Sequence, residues 1–361
     1  LWLPRLAKRN DRMTTTNIFD WHQDNWAQIM AMGARMPHAF LLYGARGTGK
    51  VRFAEHLAKS VLCESPSSDG HACAQCLSCN WFDQYSHPDY RRVRPGTIDE
   101  EDATEAADAG EGNEDASDKK TGKAGKAASK EIVIDQVRAL AQFMNVSTHR
   151  QGRRVVLMYP AEALNIPAAN ALLKSLEEPN PNTVFILVSH QIDRLLPTIL
   201  SRCHKMALTV PGWEQALAWL HTQDIKEPAH WLAQQGGAPL LALDMAQADD
   251  AKEMDEFLRG LMRPDIDTSL KLADKMQKMD MPKTVSHLQR WLYDIFSYKQ
   301  SGKVRYFPKY QQEVTQLASR ISLEKLMRLI QRAQEHQAIA SHPLSGKLFL
   351  EDILLEYTSQ F

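Results

Sequence analysis

The sequence predicts an α/β domain built on a parallel sheet, followed by a C-terminal region that is entirely helical. Short apolar runs alternate with helical stretches, a glycine-rich loop joins the first run to a helix, and strand signals fade after Leu208. Strands that alternate with helices form a parallel sheet whose two faces are both covered. The 361 residues are enough for two or three domains.

Three apolar runs have the length of buried strands, and the last two are rich in β-branched residues. They are residues 40–44 (FLLYG), 154–159 (RVVLMY) and 184–189 (VFILVS). The stretch VRFAEHLAKSVL after the glycine-rich loop is predicted to be a helix. Residues 167–178 (PAANALLKSLEE) predict another helix, since proline suits the first helical position and Pro179 ends the pattern.

Two apolar stripes mark helices in the C-terminal region. Leu323, Leu326, Met327 and Ile330 recur at helical spacing, and residues 349–357 (FLEDILLEY) carry a second stripe. Stripes of this kind are expected to be buried in a core. The pattern leaves open whether they pack within one chain or between subunits.

Residues 96–130 do not fit an α/β sheet. The segment is acidic at first (DEEDATEAADAGEGNED), then basic (KKTGKAGKAASK), and it lacks aromatic residues. Such a composition cannot bury enough apolar area to offset the entropy lost on ordering. We predict a flexible, disordered loop inserted into the α/β domain, with a regulatory or binding segment as the alternative.

Composition and charge exclude several classes of protein. The sequence has no apolar run of about 18 residues, so no membrane span is predicted. The residues before Met13 lack the apolar core and cleavage site of a signal peptide, and we expect residues 1–12 to be a disordered extension. A net charge of −1 does not argue for nucleic-acid binding by the whole chain. We therefore expect a cytoplasmic protein in a reducing compartment.

The stretch GARGTGKV after the first predicted strand is the first candidate site. A strand before it and a helix after it are the setting of a phosphate-binding loop. Backbone N–H groups around Gly44, Gly47 and Gly49 can cradle phosphate, and Lys50 can reach the β- and γ-phosphate oxygens. Val51, however, stands where a hydroxyl would hold magnesium. We expect the loop to bind ATP weakly or not at all.

ATP hydrolysis also needs acidic groups after a later strand, an aspartate for magnesium and a glutamate for the attacking water. Tyr159 and Pro160 occupy those positions, and Glu162 follows two residues later. Glu162 is either an acid displaced in register or a capping or solvent-facing residue. Because magnesium-supporting groups are missing at two places, we expect no independent ATPase activity. An autonomous ATPase with displaced metal ligands is the alternative.

Four of the five cysteines, Cys63, Cys73, Cys76 and Cys79, are clustered after the loop and its helix. In a reducing compartment, clustered cysteines favour metal ligation over disulfides. Four thiolates fill the tetrahedral shell of a structural zinc ion and leave no open position for catalysis. The alternatives are free thiols, an iron–sulfur cluster, or His71 as a competing ligand.

Several motifs together resemble those of one protein family. SHPDY (residues 86–90), AANALLKSLEEP (168–179) and LSRC (200–203), with the four-cysteine segment, are similar to bacterial clamp-loader subunits of the AAA+ class. The resemblance covers about residues 18–357 apart from the insert. LLKSLEEP and SRC are specific to this family, whereas the glycine-rich loop is not.

The resemblance implies a role for the SRC motif, Ser201-Arg202-Cys203. Arg202 matches an arginine that reaches into the ATP site of a neighbouring subunit, where it acts as a trans arginine finger. Cys203 is expected to pack beneath it. Pro239 and Leu240 stand where ATP-active relatives keep a nucleotide-sensing arginine, which is a third departure from an active ATPase. Without the other motifs, Arg202 would be interpreted as a surface salt-bridge residue.

The resemblance also implies an architecture. It assigns residues 13–207 to an AAA+ phosphate-loop domain that contains a zinc module at residues 63–79. A small helical lid is expected in residues 208–249 and an all-α collar for oligomerisation in residues 250–361.

The function implied by the resemblance is that of a non-catalytic clamp-loader subunit of the replicative DNA polymerase III holoenzyme. Its expected partners are gamma/tau and delta subunits, with the sliding clamp and primer–template DNA reached through the complex and no membrane. An ATP-hydrolysing subunit of the gamma/tau type is the alternative. A zinc-ribbon module that binds nucleic acid is a third hypothesis, weakened because the zinc segment has almost no Lys or Arg.

Overall fold

The computed structural model describes residues 18–98, 129–145, 148, 152–248, 251–341 and 345–361. The predicted N-terminal extension and nearly all of the predicted insert lie outside the described residues. The chain divides into two compact units, one ending at Val210 and the other continuing from Pro211. The separation of a lid from a collar stays a prediction.

Five strands organise the first unit: β1 (Ala39–Tyr43), β2 (Tyr90–Val93), β3 (Arg154–Met158), β4 (Thr183–Ser189) and β5 (His204–Ala207). They form one parallel sheet in the order β2-β3-β4-β1-β5, which confirms the predicted parallel α/β domain. The three predicted strands are confirmed as β1, β3 and β4. Neither β2 nor β5 was predicted, because each has only four residues and exposes some of them.

Helices flank this sheet: α1 (Gln23–Met32), α2 (Lys50–Leu62), α3 (Leu77–Asp83), α4 (Ile134–Asn145), α5 (Ile166–Glu177) and α6 (Pro197–Leu200). The two helices predicted from the sequence are confirmed as α2 and α5. The Asn165 side chain accepts a 3.0 Å hydrogen bond from the Ala168 N–H and caps α5, with Pro167 in its first turn. Local sequence therefore determines where α5 begins.

Hydrophobic cores lie on both faces of the sheet. Along β1, Phe40 and Leu42 belong to the core that contains Phe53 of α2, whereas Leu41 belongs to the core that contains Leu172 of α5. All five side chains are fully buried. Because successive side chains of a strand point to opposite faces, the continuous apolar run of β1 is buried on both sides.

The described residues of the second unit form helices and no strand. These helices are α7 (Trp213–His221), α8 (Pro228–Gln234), α9 (Pro239–Gln247), α10 (Ala251–Met262), α11 (Ile266–Met276), α12 (Met281–Ser301), α13 (Gln311–Arg320), α14 (Leu323–Ile339) and α15 (Gly346–Thr358). The prediction of an all-helical C-terminal region is confirmed. Across the ranges that the structure describes, no helix combines the length and the apolar character needed to cross a membrane.

The two predicted apolar stripes differ in burial. The second stripe is buried as predicted, at Phe349, Leu350, Ile353, Leu354 and Tyr357. In the first stripe Leu326 is buried, but Leu323 and Met327 are 43% and 48% exposed. These two side chains are not buried within the chain, so for them packing between subunits, the possibility that the pattern left open, stays a prediction.

Candidate functional site

The glycine-rich loop lies between the end of β1 and the start of α2. Gly49 precedes α2 with a φ of 89°, and a Cβ atom there would lie 2.5 Å from the Phe19 ring. Gly44 has a φ of 148°, and a Cβ atom there would lie 2.3 Å from the Leu208 carbonyl oxygen. Both positions require glycine, because the positive φ and the close approach each exclude a side chain. The strand–loop–helix arrangement typical of phosphate-binding loops is present.

Lys50 is turned into the loop and away from solvent. The residue is 2% exposed, and its Nζ donates a hydrogen bond to the Ala45 carbonyl oxygen. Thr48 Oγ1 donates to the same oxygen at 3.2 Å. Burial lowers the pKa of Lys50 to about 8, an effect that Glu162 opposes and Arg46 reinforces. The amine that would contact a triphosphate is therefore engaged within its own loop.

Aromatic residues before α1 cover the same loop. Trp21 Nε1 donates a 2.9 Å hydrogen bond to the carbonyl oxygen of Thr48. The Thr48 residue is fully buried. The rings of Trp21 and Phe19 are stacked with centroids 4.4 Å apart, and the Arg52 guanidinium lies 4.5 Å from the Phe19 centroid. These residues were not among the predicted site residues, although the aromatic-rich stretch FDWHQDNW offered a signal.

Replacing Lys50 with methionine is expected to change how stability depends on pH. The pKa of Lys50 is about 8 in the folded chain against an ordinary 10.5, so the charged amine destabilises the fold below pH 8. This penalty disappears as the pH rises from about 8 to 10.5, because the unfolded chain then also loses the proton. The free energy of unfolding of the wild type should therefore rise relative to Lys50→Met by about 1 to 3 kcal/mol across that window.

Chemical denaturation at several pH values measures this difference. The matched control is Lys174→Met, which removes an exposed lysine of α5 and should leave the pH profile unchanged. Parallel profiles for the wild type and Lys50→Met would show that the buried amine is not the cause.

Tyr159 and Pro160 follow the carboxyl end of β3, where an ATPase would carry its acidic pair. The Tyr159 hydroxyl accepts a 3.4 Å hydrogen bond from Arg94. Glu162 accepts the backbone N–H of His190 at 3.1 and 3.2 Å, one bond to each carboxylate oxygen. These bonds join the carboxylate to the backbone immediately after β4 and cap no helix, so they do not support the helix-capping alternative for Glu162.

A cleft of about 380 Å³ opens where β1 and β4 end. Its lining consists of Tyr43, Gly44 and residues 190–194. Burial lowers the pKa of His190 to about 3, and the charges of Lys50 and Arg46 add to the effect. His190 is therefore neutral at physiological pH and offers no cationic contact to phosphate.

The four predicted metal ligands, Cys63, Cys73, Cys76 and Cys79, lie together. Their sulfur atoms are all within 4.8 Å of one another, and Cys63 Sγ lies 3.9 Å from Cys76 Sγ. A tetrahedral zinc ion with Zn–S bonds of about 2.3 Å places its sulfurs about 3.8 Å apart. The cluster fits such an ion after small movements, and it is the only group of three or more potential metal ligands in the described ranges.

Backbone N–H groups point at these sulfurs. The N–H of Cys73 donates to Cys63 Sγ at 3.2 Å, that of Cys76 to Cys73 Sγ at 3.3 Å, and that of Cys79 to Cys76 Sγ at 3.4 Å. Backbone hydrogen bonds from Gln75 and Cys76 lower the pKa of Cys73 to about 6, whereas burial raises the pKa of Cys79. Since thiolates bind metal and a bound cation stabilises them, the site has the chemistry of a structural metal centre.

His71 lies outside the sulfur cluster. Its Nδ1 is 2.8 Å from Nε2 of His56, and its ring stacks on Trp26 with centroids 4.6 Å apart. The contacts do not favour the alternative in which His71 competes for the metal. The cysteine segment is joined to the fold by Ser78, whose Oγ donates a 2.6 Å hydrogen bond to the Leu62 carbonyl oxygen.

Arg202 follows α6 and lies at the surface, with its side chain 30% exposed. Its Nη1 donates to the Thr198 carbonyl oxygen at 2.9 Å and to Ser201 Oγ at 3.3 Å, and its Nη2 pairs with Glu177. Cys203 is buried in the core, and burial raises its pKa to about 11. Cys203 therefore packs inside the fold, while Arg202 can be reached from outside.

The GGAP segment opens α9. Gly236 and Gly237 have φ values of 62° and 86°, and Pro239 is the first residue of the helix. Pro239 is buried and Leu240 is half-buried. Neither can supply the guanidinium that a nucleotide-sensing position requires.

Comparison with protein families identifies matches to both units. The family model described as "DNA polymerase III, delta subunit" matches residues 23–211. The model described as "DNA polymerase III, delta subunit, C terminal" matches residues 248–359.

Individual relatives are consistent with these matches. "DNA polymerase III subunit delta'" of Pseudomonas aeruginosa is 37% identical over 290 residues, covering 78% of this chain and 78% of the relative. The protein of the same name from Haemophilus influenzae is 33% identical and covers 62% of this chain and 59% of the relative. "DNA polymerase III subunit tau" of Bacillus subtilis is 30% identical but covers only 51% of this chain and 27% of the relative.

Proposed function

This chain belongs to the family of DNA polymerase III delta' subunits, and we propose that it is a non-catalytic subunit of a clamp loader. The assembled complex uses ATP to load a sliding clamp on primed DNA, and this chain supplies structure and one arginine. Its partners are gamma/tau and delta subunits, and it meets the clamp and the primer–template DNA through the complex. The observation that carries the proposal is the contrast between a buried Lys50 and an accessible Arg202.

The glycine-rich loop supports a role without hydrolysis. Val51 offers no oxygen to magnesium, and Lys50 is bonded to the carbonyl oxygen of Ala45. Trp21 covers the loop through its hydrogen bond to Thr48. The Lys50 amine would have to leave the Ala45 carbonyl oxygen before it could contact a triphosphate. This chain therefore binds ATP weakly or not at all.

Arg202 supports a role in a neighbouring ATP site. A guanidinium is always charged, and its planar fork of N–H groups matches the oxygens of a phosphate. Such a group stabilises the negative charge that develops on the transferring phosphoryl group. Arg202 is accessible and lies outside its own glycine-rich loop, and both features support a role on nucleotide held by another subunit.

The second unit supports assembly with other subunits. Large apolar side chains stay exposed on its helices, with Ile266 and Leu270 on α11 and Leu323 and Met327 on α14. Members of each pair are four residues apart, so they lie on one face of their helix. Exposed large apolar side chains that share a helix face are candidates for protein–protein contacts. These faces are suited to the predicted collar in residues 250–361.

The cysteine cluster holds a structural zinc ion in this proposal. Cys63 follows the last residue of α2, and Cys79 lies in the first turn of α3, so the metal joins the two helices. Zinc supplies a fixed tetrahedral cross-link and, with four protein ligands, no reactive position. Its contribution is to order the turn between α2 and α3.

Mixing this chain with gamma/tau and delta subunits is expected to give one defined hetero-oligomer whose ATPase responds to clamp and primed DNA. Size-exclusion chromatography with light scattering measures assembly, and phosphate release measures ATPase. The chain alone should show no turnover at saturating magnesium-ATP. Exclusion from the oligomer, or turnover by the chain alone that Lys50→Ala abolishes, contradicts the proposal.

A further inference from the structure

We propose that Glu177 is a latch that holds Arg202 away from a neighbouring ATP site until phosphate displaces it. The inference rests on the proposed function, since it concerns the arginine that is offered to another subunit. It adds a residue, the last of α5, whose carboxylate controls when that arginine is free.

The contacts of Arg202 show how it is held. Nη1 is occupied by the Thr198 carbonyl oxygen and Ser201 Oγ, both within its own chain segment. Nη2 is paired with Glu177, which comes from a different helix 25 residues earlier in the chain. The first two contacts hold Nη1 in place, whereas the third sets a negative charge beside Nη2.

A carboxylate and a phosphate compete for the same part of an arginine. Both bind the planar fork through charge-assisted hydrogen bonds, and a guanidinium paired with one has less positive potential to offer the other. Arg202 can therefore place its full charge on a phosphoryl group only after Glu177 has let go. The Arg202–Glu177 pair within this chain therefore opposes the contact of Arg202 with nucleotide in the neighbouring subunit.

The strength of the latch suits reversible release. The side chains of Arg202 and Glu177 are 30% and 48% exposed, so water and salt screen their attraction. Ion pairs of this exposure are weak, and a magnesium triphosphate in a closed interface presents more negative charge than one carboxylate. The latch therefore slows engagement of the finger without preventing it.

Helix stability does not account for Glu177. The residue ends α5, where the helix macrodipole disfavours negative charge, and Glu178 follows it directly. The ion pair that the structure describes for Glu177 is the one with Arg202. Its neighbour Glu178 has the same charge and a similar position but makes no described ion pair, so it is a matched control.

The test uses the reconstituted complex and the part of its ATPase that depends on Arg202, defined as the rate with Arg202 minus the rate with Arg202→Ala. Glu177→Gln keeps the size of the side chain and removes its charge, and it is expected to raise this part about two- to fivefold. Glu177→Ala should give the same increase. Glu178→Gln should leave the rate unchanged, and Glu177→Gln should have no effect in the Arg202→Ala background.

Each other outcome has a distinct meaning. If Arg202→Ala lowers the rate but Glu177→Gln matches Glu178→Gln, the latch is wrong and the finger stands. If both Glu177 variants lower the rate, Glu177 positions Arg202 for catalysis, which overturns the latch. If Arg202→Ala leaves the rate unchanged, the finger assignment fails and the latch fails with it.

Discussion

Replacing Arg202 with alanine is expected to slow ATP hydrolysis at the neighbouring subunit's site by on the order of 10³-fold, while the complex still assembles. The loss is large because the guanidinium supplies positive charge where the transferring phosphoryl group becomes more negative. A single-turnover assay of the reconstituted complex, with clamp and primed DNA, should resolve the slowed site as a separate phase. Clamp loading should fall with that phase.

The arginine's geometry provides a control for this experiment. Arg202→Lys keeps the positive charge but loses the planar fork, so its rate should lie between those of the wild type and Arg202→Ala. The free energy of unfolding of the isolated chain should change by less than about 1 kcal/mol in both variants, because the ion pair that Arg202→Ala removes and Arg202→Lys weakens is partly exposed. A single-turnover trace for Arg202→Ala that overlays the wild type would rule out the finger assignment.

The elements of the fold that were predicted correctly are those that a short stretch of sequence determines. The central strands β1, β3 and β4 are continuous apolar runs because both faces of the sheet are covered. The sheet edges β2 and β5 have short, partly polar sequences, such as HKMA in β5, and local pattern did not reveal them. Edge strands need less apolar sequence because solvent reaches one side of them.

The contacts that decide the state of the candidate site were beyond local sequence. The Trp21 indole meets Thr48 from 27 residues away, and Glu177 meets Arg202 from 25 residues away. Neither pair is implied by spacing, since both depend on how the chain folds back on the sheet. The sequence thus identified Lys50 and Arg202 as candidates, but only the structure shows the first buried and the second paired with Glu177.

On α14, helical periodicity predicts which residues share a face but not what covers that face. It correctly shows that Leu323 and Met327 share one face with Leu326 close by, since residues three and four apart are neighbours on a helix. It cannot show what covers that face, and here the chain's own core covers Leu326 but not the other two. Their exposure is consistent with a surface that a partner subunit would bury.

Replacing Cys76 with serine is expected to abolish zinc binding and to lower the free energy of unfolding of the first unit by about 2 to 5 kcal/mol. Cys76 Sγ lies 3.9 Å from Cys63 Sγ and accepts a hydrogen bond from the Cys79 N–H. Its loss therefore removes one of the four tetrahedral ligands. A serine hydroxyl cannot replace a thiolate for a soft metal site. Metal analysis by plasma mass spectrometry and denaturation with guanidinium measure the two effects.

Cys203 provides the matched control for that experiment, because it is a buried cysteine outside the sulfur cluster. Cys203→Ala should lose about 1 to 2 kcal/mol of stability through its smaller volume and should keep its zinc. Zinc retained by Cys76→Ser, or lost equally from Cys203→Ala, would show that the four clustered sulfurs are not the ligands. Cys63 directly follows α2, which separates the metal site from β1. Loss of the metal should therefore increase proteolytic cleavage between α2 and α3 before cleavage reaches β1.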